Sequence, residues 1–146
     1  MIDQDIFIDT NILLYTKIED NQFFEVSCNK LQNLHKNNNL FISTQVLREY
    51  WAALSKLPNV SNPIHVSIIF DDIEYYMQNF IVLEDYNTTS EKLFHLAKEY
   101  KVIGKQIHDA NIVATMLTNG IKSILTHNVA DFNRYNKLIN IIPLIN

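Results

Sequence analysis

The residues best equipped for chemistry in this 146-residue chain are acids far apart in sequence but alike in setting. Asp9 directly follows the apolar run Ile6-Phe7-Ile8. Glu49 falls early in a helical pattern that begins just after Leu40-Phe41-Ile42. Asp109 falls in the first turn of another helical pattern, and Asp131 follows Ile124-Leu125 by a short loop. Hard cations prefer oxygen ligands, so acids drawn into one place form a candidate cation site. Each acid alone has a plainer explanation, because helix N-termini favour acidic side chains by about 0.3–1 kcal/mol. That explanation weakens when all four recur in the same setting.

Such a site needs elements that carry the acids to one edge. Ile6-Phe7-Ile8, Leu40-Phe41-Ile42, Ile81-Val82-Leu83, Ile124-Leu125 and Ile141-Ile142 are short apolar runs without polar alternation. Such runs suit parallel strands covered on both faces. Between them lie helical patterns over residues 23–36 and 44–57, and from Pro63 to about Asn79. Thr88-Thr89-Ser90-Glu91 reads as a capping box for a helix through Lys101, and a last helix runs from about Ile107 to Asn119 before Gly120. Alternating β and α elements predict an α/β fold, a three-layer α/β/α sandwich with a mainly parallel sheet. Residues 1–146 are expected to form a single domain.

In such folds ligands bind beyond the carboxyl ends of the strands, where strand order switches. Strand ends and the starts of the following helices share that edge, so all four acids are expected in one crevice. Helical phase sharpens the case for Asp109. Ile112, Val113, Met116 and Leu117 stand three, four, seven and eight residues beyond it, an apolar stripe at whose head a lone carboxylate is costly. Glu49 shares a helical face with Val46, Ala52 and Ala53, and the small alanines leave room beside it.

Composition narrows the alternatives. A formal charge of −4 argues against a generic basic nucleic-acid binder, though not against an enzyme that reaches phosphate through cations. No apolar run approaches the roughly 20 residues that span a bilayer, so no membrane partner is expected. The opening Met1-Ile2-Asp3-Gln4-Asp5 lacks a positive n-region, and Cys28 has no cysteine to pair with. Both features are read as cytoplasmic.

Four segments carry a family resemblance. Phe7-Ile8-Asp9-Thr10-Asn11-Ile12-Leu13-Leu14-Tyr15 resembles the opening signature of PIN-domain nucleases, notably VapC-type toxins of bacterial toxin–antitoxin pairs. Ser43-Thr44-Gln45-Val46-Leu47-Arg48-Glu49 is similar to the second acidic motif of that family, and His108-Asp109-Ala110-Asn111-Ile112-Val113-Ala114-Thr115 to the third. Thr126-His127-Asn128-Val129-Ala130-Asp131-Phe132 resembles the fourth. The segments follow the family's order across almost the whole chain.

The resemblance implies a five-stranded parallel sheet and an Mg²⁺- or Mn²⁺-dependent ribonuclease with Asp9, Glu49 and Asp109 in its acidic core. Asp9 and Asp109 are then the principal ligands, while Glu49 binds the ion or orients a water. Some family members place an acid where this chain has Asn128, which leaves Asp131 as the nearby acid, acting directly or through water. Thr10, Asn11 and Asn128 are supporting residues, with turn and cap formation as the alternative. Arg48 and Arg134 are candidate phosphate contacts, a surface ion pair being equally plausible. Asp71, Asp72 and Glu74 read as a solvated helix face, and His108 and His127 as ordinary histidines. RNA as substrate, an antitoxin protein as partner and a homodimer complete the expectation. The rivals are a degenerate PIN-like RNA-binding or assembly module and, lower, an acid-nucleophile phosphatase. The latter wants a second Asp where this chain has Asn11.

Overall fold

A computed structural model of the protein describes residues 3–56 and 64–146. The five apolar runs form β1 (Asp5–Ile8), β2 (Asn39–Ser43), β3 (Ile81–Leu83), β4 (Ser123–Thr126) and β5 (Asn140–Pro143). They make one sheet of order β3-β2-β1-β4-β5, every neighbouring pair parallel. The central strands carry the burial that their sequence demands. Ile6, Phe7 and Ile8 on β1 and Ile124 and Leu125 on β4 have no accessible surface. This is the expected α/β sandwich with a five-stranded parallel sheet.

The helices are α1 (Thr10–Tyr15), α2 (Phe24–Asn37), α3 (Thr44–Ser55), α4 (Val66–Asn79), α5 (Asn87–Tyr100), α6 (Gln106–Thr118) and α7 (Val129–Phe132). A 3₁₀ turn at Asn133–Tyr135 follows α7. α1 packs against α2 and α3, and α3 against α4; separately, α5 packs against α6, and α6 against α7. With right-handed crossovers, the first group covers one face of the sheet and the second the other. Pro63, expected to open α4, and Leu57, expected to close α3, lie outside the described residues.

Three expectations are corrected. The helix expected to be capped at Thr88 starts earlier, at Asn87, and Thr89 acts from inside it by accepting the Tyr86 N–H at 3.1 Å. Asp72 is no member of a solvated face. It pairs with Lys17 at 3.0 Å and accepts the Tyr50 hydroxyl at 2.7 Å, both partners arriving from other elements. Of the alanines near Glu49, Ala52 faces solvent and only Ala53 is half-buried. The Asp109 stripe is as expected: Ile112, Val113 and Met116 are buried, and Leu117 packs partly buried against the core.

Candidate active site

From β1 the chain winds to β2 and β3 on one side, then returns to place β4 on the other. The strand order therefore switches between β1 and β4, the place beyond the strand ends where sheets of this kind bind ligands. The last aligned pair is Ile8 with Leu125. Asp9 extends the ladder by one bond, its N–H donating to the Leu125 carbonyl at 3.1 Å. Asp9 then leaves the strand and caps α1, its Oδ1 accepting the Thr10 N–H at 2.8 Å.

The other carboxylate oxygen is held by neighbours. Thr126, the last residue of β4, donates its hydroxyl to Asp9 Oδ2 at 2.7 Å. The Asn11 amide donates to the same oxygen at 3.2 Å, and Asn11 Oδ1 accepts the His127 N–H at 3.3 Å. Thr126 Oγ1 in turn accepts the Asn128 N–H at 3.0 Å. Asn11 and Asn128 thus serve the loops around Asp9. The Thr10 hydroxyl is buried without a partner among the described residues.

Asp9 is only 6% exposed. Burial pushes its pKa up to about 6 against the opposing hydrogen bonds from Thr126 and Thr10, and the charges of Glu49 and Asp131 add to the rise. Asp109, half-buried in the first turn of α6, is also pushed up to about 6, by burial and then by Asp9 and Asp131, with His108 and Arg134 opposing. Burial likewise raises Glu49 above the usual carboxylate range; the nearby Gln45 amide opposes the rise and the Asp109 charge adds to it. Asp131 is exposed in the first turn of α7, its N–H on the Asn128 carbonyl. The structure therefore brings the four acids within range of one another's charge.

Among the described residues neither basic candidate bonds directly to the four acids, although the charge of Arg48 reaches Glu49 and that of Arg134 reaches Asp109. Arg48 is largely exposed and lies 3.9 Å from Asp85, while Arg134 donates to Gln106 at 3.2 Å. His127 packs on Phe23 and edge-on to Tyr15, and His108 is exposed. An apolar cavity of about 550 Å³ between α2 and α4, lined by Leu31, Tyr76 and Phe80 among others, includes none of the four acids.

Thr126 lies in the fourth segment, where local sequence gives it no distinct role. Its position became informative only once β4 was known to lie beside β1. Gln45, buried near the start of α3, was missed in the same way.

A divalent cation fits the chemistry of this crevice. Glu49 Oε1 is buried and has no hydrogen-bond partner among the described residues, and burial together with the neighbouring acids' charges makes Asp9 and Asp109 resist ionisation. Among the described residues no group of three or more acids, histidines or cysteines is placed to hold a metal ion as the side chains stand.

The family model for the PIN domain matches residues 6–138. VapBC2 from Rickettsia felis, solved bound to a DNA fragment from the promoter, aligns at TM-score 0.70 and 20% identity, covering 95% of this chain and 98% of the other. VapBC-1 from nontypeable Haemophilus influenzae aligns at TM-score 0.67 and 19% identity, covering 97% and 99%. Mycobacterium tuberculosis VapC20, described as a Sarcin-Ricin loop cleaving toxin, aligns at TM-score 0.65 and 17% identity, covering 82% and 86%. A search of curated proteins found no match.

Proposed function

The chain belongs to the PIN-domain family, and from that membership and its acidic crevice we propose that it is a metal-dependent ribonuclease, the toxin of a toxin–antitoxin pair. The observation that carries this reading is the crevice at the β1–β4 switch, with Asp9 and Asp109 both pushed up to about 6 beside a buried, unpartnered Glu49 oxygen. Partly buried carboxylates that feel one another's charge are suited to a hard cation. Asp9 and Asp109 are the proposed principal ligands for Mg²⁺ or Mn²⁺, with Glu49 ligating or orienting a water and Asp131 acting through water. When bound, such an ion activates a water and stabilises charge growing on the phosphoryl and leaving oxygens.

The chain's own residues do the rest. Thr126 and the Thr10 N–H hold the Asp9 carboxylate in one orientation. Asn11 and Asn128 order the loops on either side. Arg48 and Arg134 are proposed to guide the phosphates of an RNA strand across the crevice mouth. Asn11 donates to Asp9 rather than supplying a second acid, which disfavours the phosphatase reading.

The test is cleavage of single-stranded RNA by the purified chain in Mn²⁺, in chelator, and with Asp109→Asn. Cleavage that needs Mn²⁺ and vanishes in the variant supports the proposal. No cleavage by the wild type in Mn²⁺ would leave an RNA-binding or assembly module. For the toxin role, expression of the wild type alone is expected to arrest bacterial growth while Asp109→Asn does not. An antitoxin protein and a second copy of the chain are the proposed partners, and the cytoplasm the proposed setting. Among the described residues no helix is long and apolar enough to cross a membrane.

A further inference from the structure

Glu49 and Asp109 sit on different helices, and side chains on those helices, rather than the sheet alone, connect them. Gln45 precedes Glu49 by one turn of α3 and is 6% exposed. Both ends of its amide bond to α6, and the same amide lies close enough to Glu49 to lower the pKa of that carboxyl. Its Nε2 donates to the His108 carbonyl at 2.9 Å, and its Oε1 accepts the Asn111 amide at 2.8 Å. These contacts bracket Asp109 in sequence, one before it and one after. Asn111 also donates to Asp85 at 3.3 Å, and Asp85 accepts the Thr115 hydroxyl at 3.3 Å, so the clamp is backed by the loop after β3.

α6 does not need Gln45 to exist. In a regular helix the His108 carbonyl already accepts the N–H four residues on, so the Gln45 amide is an additional donor. Its gain is tertiary: it sets the rotation and distance of the first turn of α6 against α3. A buried amide satisfied at both ends tolerates little displacement, because moving α6 leaves it unpaired at a cost. Glu49, one turn along, is then held at a defined separation from Asp109, whose charge it already feels.

We infer that Gln45 is a positioning residue, a buried clamp between α3 and α6 that sets the Glu49–Asp109 spacing on which cation binding and cleavage depend. The dependence on cleavage rests on the ribonuclease reading; the clamp itself does not. Gln45→Met keeps the volume and deletes both hydrogen bonds. Asn111→Ala deletes one and retains the bond to the His108 carbonyl, and its half-exposed position makes it the safer variant for folding.

The experiment combines amide hydrogen exchange on the metal-free proteins, Mn²⁺ calorimetry, and RNA cleavage separated into kcat and KM. In Gln45→Met, exchange at Ile107 and His108 is expected to quicken at least tenfold relative to Val113–Met116 of the same helix. Mn²⁺ affinity is expected to fall at least fivefold, and kcat at least tenfold with KM within twofold. Asn111→Ala is expected to show the same pattern, weaker in each measure. Uniform exchange along α6, or quickened exchange with unchanged Mn²⁺ affinity, would overturn the inference. A wild type that binds Mn²⁺ without cleaving RNA would refute the ribonuclease reading, leaving exchange and Mn²⁺ affinity to decide the clamp.

Discussion

Thr126 Oγ1 and Asp9 Oδ2 lie 2.7 Å apart across the seam between β4 and β1, joining residues 117 positions apart in the chain. A hydroxyl donating to a buried carboxylate stabilises the charged form, and it is the strongest influence holding the Asp9 pKa down against burial.

Thr126→Val keeps the shape and deletes that donor. Hydrogen bonds to charged groups contribute about 1.5–3 kcal/mol, so a fall in melting temperature on the order of 5 °C is expected at pH 7.5. At pH 5 Asp9 is largely protonated and the loss should shrink. Thermal melts at both pH values test this, and an equal loss at both would show that the Thr126 bond does not depend on the Asp9 charge.

The acids should not contribute equally. Asp109 is half-buried and pushed up to about 6, whereas Asp131 is exposed. Asp109→Asn is therefore expected to reduce RNA cleavage by about two to three orders of magnitude, as for the loss of a principal electrostatic group. Asp131→Asn should cost tenfold or less. Single-turnover rates for the two variants decide the matter, and equal losses would make Asp131 a direct ligand.

The raised carboxylates also make a stability prediction with a definite sign. The pKa of Asp9 rises from 3.8 to about 6 on folding, so between those values the folded state binds more protons than the unfolded one. The metal-free protein should lose stability as pH climbs through that window, by roughly 3 kcal/mol from Asp9 alone. Mn²⁺ should reverse the loss, since an ion at a hundredfold excess over its dissociation constant adds about 2.7 kcal/mol to the native state. The double variant Asp9→Asn, Asp109→Asn should melt higher than wild type in chelator at pH 7.5 and lose most of the metal response. Melts at constant ionic strength measure both effects. An undiminished metal response in the double variant would place the bound ions elsewhere.

Asp72 supplies a contrast, an acid with a structural task. Its carboxylate holds the Lys17 ammonium and the hydroxyl of the fully buried Tyr50. Asp72→Ala leaves both without that partner and should cost about 1–3 kcal/mol, read as a lower urea midpoint. The kcat for RNA cleavage should remain within twofold of wild type, and a larger fall would tie Asp72 to the active site.

The local record in the chain was enough for the framework. Uninterrupted apolar runs marked all five strands; in β1 and β4 the reason is burial on both faces, whereas the edge strands β3 and β5 are only partly covered, Ile81 being exposed. The Asp109 stripe marked both α6 and the cost of an acid at its head. α1 escaped notice because Thr10–Tyr15 is six residues of mostly apolar sequence directly after a strand, too short for a helical period to declare itself. The start of α5 was misplaced because Thr89 accepts a backbone N–H from within the first turn, as an early residue of the helix rather than its cap. Asp72 read as solvated because its partner Lys17 is 55 residues away. The same limit hid the roles of Thr126 and Gln45. Each is an ordinary polar residue until the strand order sets β4 beside β1 and brings the first turns of α3 and α6 to one edge of the sheet. Composition and periodicity determined which segments would be buried and which acids would stand at their ends. The tertiary structure alone decided which polar side chains meet, because a hydrogen bond between distant residues depends on the packing of whole elements and leaves no mark on local sequence.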